Sequence, residues 1–313
     1  MLSFIAKRLI ATIPVMLMVA IVVFAILRLT PGDPAALLAG DLATPDQLRQ
    51  IRHSMGLDEP LYIQFVHWIV QLLQGNLGVS LISDVPVTEM IVNRIGPTLS
   101  ISTFTIIFSV LVAVPLGTIA AWRRGKLLDR AVMSFSVLGF SVPAFVVAYA
   151  LIFVVSINLQ WLPVQGYKPL SEGFWPYFQR LILPTMTLST VYVALIARIT
   201  RTSIIEVLGE DYIRTARAKG LKERAVVMQH ALGNAAVPII TIIGIGVSML
   251  IGGVVVTESV FNLPGLGRLV VEAVLARDYP VIQGLILLFS FVYILINLVV
   301  DILYCVVDPR IRY

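Results

Sequence analysis

The chain has 313 residues, 58% of them hydrophobic and only 13% charged, with 23 basic residues, 18 acidic ones and a formal net charge of +5. The charged share is about half that of an ordinary soluble domain, and the mean hydropathy is +0.93, which excludes a soluble globular enzyme and a disordered chain and points to a polytopic membrane protein. The single cysteine, Cys305, excludes an internal disulfide and any cysteine-based metal site, and His53, His67 and His230 share no ligand spacing.

Six apolar runs have the length a bilayer demands: Leu9–Leu27, Thr98–Ala121, Val132–Ile157, Leu181–Ile199, Val237–Thr257 and Val281–Val300. They are continuous rather than alternating, so they read as helices and not as strands of a barrel. Lys7 and Arg8 ahead of the first run also suit a signal peptide. That run is 19 residues long, however, and Arg28 and Leu29 follow it in place of a small-residue cleavage site, which favours an uncleaved signal-anchor. Fifteen basic residues fall on the side of the N-terminus, the second–third loop (Arg123, Arg124, Lys126, Arg130), the fourth–fifth loop and the tail, against eight on the other side. Basic loops stay in the cytoplasm, so both termini are expected there.

The segment Thr30–Pro97 follows the first run. Pro31-Gly32-Asp33-Pro34 reads as a turn. Thr44 and Pro45 then suit the cap and first position of a helix that stops at Gly56. A second helix is expected over Pro60–Leu73, with Leu61, Phe65, Trp68 and Leu72 on one stripe, and a third, short one over Val87–Arg94. Tyr62, His67 and Trp68 suit interfacial anchoring, as do Trp161, Tyr167, Trp175, Tyr177 and Phe178 in the third–fourth connection. Pro143 and Pro184 are expected to kink the third and fourth spans. Gly244, Gly246, Gly252 and Gly253 in the fifth span suit close helix approach. Phe261–Pro280 opens with a turn over Asn262–Gly267 and continues as an amphipathic helix with Leu269, Val270, Ala273 and Val274 on one side. Arg198 and Asp301 sit at similar depth near the cytoplasmic ends of their spans; they could pair, or Arg198 could snorkel alone.

The cytoplasmic loop 201–237 is longer than the linking of two spans requires. Glu210 and Asp211 precede Tyr212–Lys219, and Gly220 follows, so acidic residues open and basic residues close a short helix in the sense that its dipole favours. A second helix is expected over Lys222–Leu232. The loop can be a solvated basic connection that only orients the chain, or a docking surface for a cytoplasmic partner.

Arg214-Thr215-Ala216, three residues, then Gly220 resembles the coupling-loop motif of bacterial ABC importer permeases, whose general form is Glu-Ala-Ala, three residues, Gly. The stretch Glu210–Leu221 is similar to the version in the dipeptide/oligopeptide subfamily. Arg214 and Thr215 depart from the general motif, and its distal part is blurred to His230–Pro238. Met55–Leu61, Val260–Gly267, Arg277–Pro280, Asn297–Tyr304 and Asp308-Pro309-Arg310 resemble other segments of that subfamily, in order and along nearly the whole chain.

The resemblance implies an all-α membrane protein of six transmembrane helices with the type I ABC importer permease fold. It would divide into residues 1–28 (tail and first span), a helical extracytoplasmic segment 29–97, and a five-helix permease core 98–313 with the coupling loop 201–237. It also implies two permease subunits, two cytoplasmic ATPase subunits and an extracytoplasmic binding protein, with dipeptides, oligopeptides, glutathione or nickel as cargo. Glu210, Asp211, Tyr212, Arg214, Thr215, Ala216, Arg217, Lys219 and Gly220 would contact the ATPase. No phosphate-binding Gly-x-x-x-x-Gly-Lys-Ser/Thr loop occurs, so ATP and magnesium would belong to the partners; no catalytic, cofactor or metal site is expected in this chain. A secondary transporter or a channel would explain the spans, but the span centres carry no coupling charges and no filter-like sequence.

Overall fold

Peptide groups in hydrocarbon must bond within their own segment, and the apolar runs accordingly fold as long helices. The computed structural model describes residues 2–29, 34–39, 44–54 and 56–307; the turn residues Pro31–Asp33 and the ending Asp308–Arg310 lie outside these. Among the described residues, five helices are long and apolar enough to cross a membrane: α1 (Leu2–Leu29), α5 (Val87–Trp122), α8 (Phe174–Leu208), α12 (Ala236–Val260) and α14 (Tyr279–Val307). A sixth span results if the bent pair Leu127–Ser141 (α6) and Ala144–Asn158 is counted as one. The shorter helices are α2 (Pro34–Ala39), α3 (Pro45–Ser54), α4 (Leu61–Leu73) and, opening that pair's second half, α7 (Ala144–Leu151).

Two expectations are corrected here. The short helix over Val87–Arg94 is not separate: it forms the first turns of the 36-residue α5, which runs through Pro97 and Pro115. An eight-residue helix nucleates poorly alone, whereas one that continues into an apolar span shares that span's nucleus. The third apolar run bends at Pro143 as expected, but by 104°, which breaks it into two helices rather than kinking one. Val142 is β-branched and precedes Pro143, which drives it out of the helical region to φ −94° and ψ 121°. The Pro143 carbonyl then accepts the N–H groups of Val146 and Val147 at 3.0 and 3.3 Å and starts the next helix. Pro184, by contrast, lies inside an unbroken α8.

Contacts divide the chain into two units, Met1–Ile95 with Arg268–Ile294, and Gly96–Gly267 with Leu295–Tyr313. In the second unit α8 is the central helix: 61% of its span is buried, against 17% for the first span and 11% for the last. Small residues let neighbours reach it. A Cβ on Gly117 of α5 would lie 2.6 Å from the Ala197 carbonyl oxygen, and one on Gly139 of α6 2.9 Å from Ala194 Cβ. Three of the four glycines of α12 likewise admit a close neighbour, on α14 or on α8. Gly244 packs on Val300, and Gly246 and Gly253 pack on Tyr192, while Gly252 has nothing within 4 Å. Gly117→Ala is therefore expected to destabilise by about 1–3 kcal/mol through overpacking, whereas Gly252→Ala should not. Melting curves of the two variants in detergent check this.

Aromatics of the third–fourth connection divide into two kinds. Trp161 and Trp175 are exposed, as belt residues should be. Tyr167 and Tyr177 pack edge-on, and Tyr177 and Phe178 pack against Phe104 of α5, so these three are packed against the bundle rather than serving as anchors.

In the first unit, Thr44 caps α3 as expected. Gln47 N–H donates to the Thr44 hydroxyl at 3.3 Å and Thr44 N–H donates to Gln47 Oε1 at 2.9 Å, a reciprocal capping box. The chain turns at Gly56 with φ +64°. Helix α4 buries Gln64, whose amide donates to the Leu57 and Glu59 carbonyls, and sets Phe65 and Trp68 against Phe24 of α1. Leu61, expected on the inner stripe, is exposed, since Gln64 holds that inner position.

Candidate coupling site

Helix α8 continues past the apolar run Leu181–Ile199 to Leu208. Gly209 closes it, and Glu210 (φ −71°, ψ 150°) begins α9 (Asp211–Ala218). The Glu210 carbonyl accepts the N–H of Ile213 at 3.1 Å, while its side chain makes no cap bond. At the other end Gly220 adopts φ +81°. Gly220 N–H donates to the Arg217 carbonyl at 2.9 Å and Leu221 N–H to the Ala216 carbonyl at 3.4 Å, the two bonds of a Schellman cap. A Cβ on Gly220 would meet nothing within 4 Å, so glycine is there for its backbone angle and not for space.

At 100° per residue the helix has two faces. Ile213 and Ala216 point inward and are buried. Asp211, Arg214, Thr215 and Ala218 point outward, flanked by Tyr212 and Lys219 on one side and Arg217 on the other, and all of these are exposed. Arg214 pairs with Asp211 at 3.1 Å on an open surface, a contact that contributes little to stability. Arg217 makes a bidentate pair with Glu223, at 2.7 and 3.3 Å, which staples the end of α9 to the start of the next helix across the glycine elbow. Partial burial and the nearby Glu210 carboxylate raise the pKa of Tyr212, so its hydroxyl stays protonated and able to donate.

The second loop helix is not the regular Lys222–Leu232 helix expected. It runs as α10 (Glu223–Ala225), a wider π-type turn over Val226–Ala231, and α11 (Leu232–Asn234). Val226, Val227 and Ala231 of that turn are buried, and α9 packs on it. Below, Ala231 and Ala235 join Ala121 of α5, Ile204 of α8 and Ile239 of α12 in one apolar cluster. The sequence-expected residues Glu210–Gly220 are thus brought together on one capped helix that stands on a packed base joining three long helices.

Four polar links were not legible in the sequence. Arg201 of α8 forms a bidentate ion pair with Asp129 at the start of α6, and Asp129 also accepts the Gly125 N–H at 2.8 Å. This pair lies near the end of the fourth span, one turn beyond Arg198. Glu258 near the end of α12 is fully buried; it accepts the Thr98 hydroxyl at 2.5 Å, and the Thr98 oxygen accepts the Leu266 N–H at 2.8 Å. A Cβ on Gly265 would lie 2.0 Å from Glu258 Oε1, which explains a glycine in the turn after α12. In the first unit, buried Asp278 accepts Ser80 Oγ and Leu81 N–H, and Glu272 of α13 (Leu266–Ala276) is shared by Arg94 and Arg268. Leu269 and Ala273 of α13 are buried as expected, but Val274 is 53% exposed. A glycine two residues from another glycine, just after a span carrying a glutamate, was the signal that could have exposed the Glu258 turn. Among the described residues no group of three or more His, Cys, Asp or Glu is placed to hold a metal.

Residues 113–313 match the model of the binding-protein-dependent transport system inner membrane component family, and residues 1–102 match its N-terminal companion. A probable peptide ABC transporter permease protein of Sinorhizobium fredii is 54% identical over 310 residues, covering 99% of both chains. The glutathione transport system permease protein GsiC is 46% identical in Salmonella choleraesuis and 45% in Escherichia coli, each over the full length of both chains. Among solved structures, a chain of the inward-facing MetNI methionine ABC transporter superposes with a TM-score of 0.59 at 18% identity, covering 71% of this chain and 97% of that one.

Proposed function

Because the chain belongs to the family of binding-protein-dependent transport system inner membrane components, we propose that it forms half of the path by which an ABC importer takes up peptides, with Glu210–Gly220 as its contact to a cytoplasmic ATPase. Membership makes it a multi-pass inner-membrane component that works in a complex with other subunits, and ATP hydrolysis lies with those partners. Peptide cargo is supported by the Sinorhizobium relative, a probable peptide ABC transporter permease; the GsiC relatives favour glutathione, itself a tripeptide, as the second reading.

The observation that carries the coupling role is the form of α9. A short helix capped at Gly220 shows an outward face of exposed polar residues, its inward residues Ile213 and Ala216 are buried, and the helix packs on the Val226–Ala231 turn. Nothing in a bilayer requires such a helix. Set in a cleft of an ATPase subunit, it would move when ATP closes the ATPase pair. The Ala121–Ile204–Ala231–Ala235–Ile239 cluster would pass that motion to α5, α8 and α12 together, because a packed apolar base is hard to compress. The path would then open alternately to either side. A second, related permease would supply the other half, and an extracytoplasmic binding protein would deliver the cargo.

Cytoplasmic termini follow from the basic-residue asymmetry. In a background lacking Cys305, Glu223→Cys should react with a membrane-impermeant thiol reagent only after permeabilisation, while Asp46→Cys should react in intact cells. Labelling of Glu223→Cys in intact cells would invert the topology and remove α9 from reach of an ATPase. For function, the tagged chain should co-purify with its ATPase subunits, and cells should take up labelled di- and oligopeptides. Uptake competed only by glutathione would transfer the reading to glutathione.

A further inference from the structure

A hydroxyl within a spanning helix has one ready acceptor, the carbonyl four residues earlier. Thr118, Ser136, Thr190 and Thr241 all use it, at 2.7–3.0 Å. Thr105 and Ser109 of α5 do not. They are 0% and 1% exposed, and neither hydroxyl oxygen meets a hydrogen-bond partner among the described residues. They lie one turn apart near the centre of the apolar run Thr98–Ala121, where the bilayer offers no partner either. Both line a cavity of about 10 Å³ between α5, α8 and α12, whose other walls include Tyr192, Ile196, Gly246 and Leu250. These six residues are all buried within this one chain and belong to the second unit, so they need no partner subunit to cover them.

We propose that Thr105 and Ser109 hold a single buried water between α5, α8 and α12, at the middle of the membrane. One water needs about 10–15 Å³ and two to four polar partners. The cavity meets the first requirement, and the two hydroxyls supply the minimum of the second. Each hydroxyl can donate to the water or accept from it. A larger polar ligand has no room. A metal cation would want several oxygen ligands and an opposing charge, and no carboxylate lines the cavity. The site assumes nothing about cargo or ATPase, so it stands or falls apart from the transport reading.

The chain, assembled with its partner subunits in lipid nanodiscs, is exposed to a short X-ray pulse, which turns a bound water into hydroxyl radicals that label the side chains beside it. Tyr192 and Leu250 should be labelled, whereas Ile204, also buried but in the apolar cluster beneath α9, should not. Thr105→Val combined with Ser109→Ala should abolish the labelling. Melting curves give a second readout, of opposite sign for a dry site. Ser109→Ala alone should lower the melting temperature by about 2–4 °C, since it leaves the water and Thr105 short of a bond, and adding Thr105→Val should restore part of that loss. If the double variant does not accumulate, the wild-type labelling and Ser109→Ala decide. Tyr192 and Leu250 labelled no more than Ile204 overturns the proposal, as does labelling that persists in the double variant. So does a rise in melting temperature for Ser109→Ala, which would mean that an unpartnered hydroxyl had been removed from a dry cavity.

Discussion

Removal of Tyr212–Lys219 is expected to leave the chain inserted in the membrane and to abolish ATP-driven uptake. The segment lies outside every apolar run, so insertion has no need of it. Two milder variants separate docking from folding. Arg214→Glu with Lys219→Glu changes only exposed residues, so stability should move by no more than about 0.5 kcal/mol, while co-purification of the ATPase and uptake should both fall steeply. Gly220→Ala meets no atom, yet a left-handed residue with a Cβ costs roughly 1–2 kcal/mol. It should loosen the Schellman cap and reduce uptake in part. Normal uptake by the deletion variant would sink the coupling role, and intact ATPase binding by the charge-reversed variant would move the contact to another surface.

The second large effect concerns Asp129 and Arg201. Their side chains retain 5% and 20% of their accessible surface, and two parallel hydrogen bonds join them. Removing one partner of a buried pair leaves the other charge uncompensated, at about 3–5 kcal/mol. Arg201→Gln should therefore lower the melting temperature in detergent sharply. Asp129→Asn should do less, since the amide can still accept the Gly125 N–H and the half-buried guanidinium can reach water. The double variant should lose clearly less than the sum of the two. Strictly additive losses would mean that the pair does not hold α6 to α8. Because this pair lies near the end of the helix that leads into α9, Arg201→Gln should also weaken the response of uptake to ATP.

Much of the candidate site was readable in the residues because its determinants are local. Acidic Glu210 and Asp211, basic Arg217 and Lys219 and the terminal Gly220 each act within a turn of their own position, and the helix Asp211–Ala218 ends where they place it. The Thr44 cap was legible for the same reason. What stands beneath α9 was not. The π-type turn at Val226–Ala231 and the cluster of Ala121, Ile204, Ala231, Ala235 and Ile239 depend on small residues far apart in the chain, and an alanine carries no mark of which helix it will meet.

The same division runs through the whole protein. Hydropathy, caps and basic loops determined by themselves that the chain is helical and membrane-spanning with a helix and a glycine elbow in its fourth–fifth loop, because each rests on transfer energies and backbone preferences of neighbouring residues. Tertiary structure alone decided that the bend at Pro143 reaches 104°, that Val87–Arg94 merges into a 36-residue helix, and that Arg201 meets Asp129 and Glu258 meets Thr98. Those last partners lie 72 and 160 residues apart. A charge near a span end can snorkel, cap a helix or pair, at similar cost. Which of these it does depends on what the packed bundle brings within 3 Å, and that information is in the packing of Gly117 and Gly139 against α8 rather than in the charge's own neighbourhood.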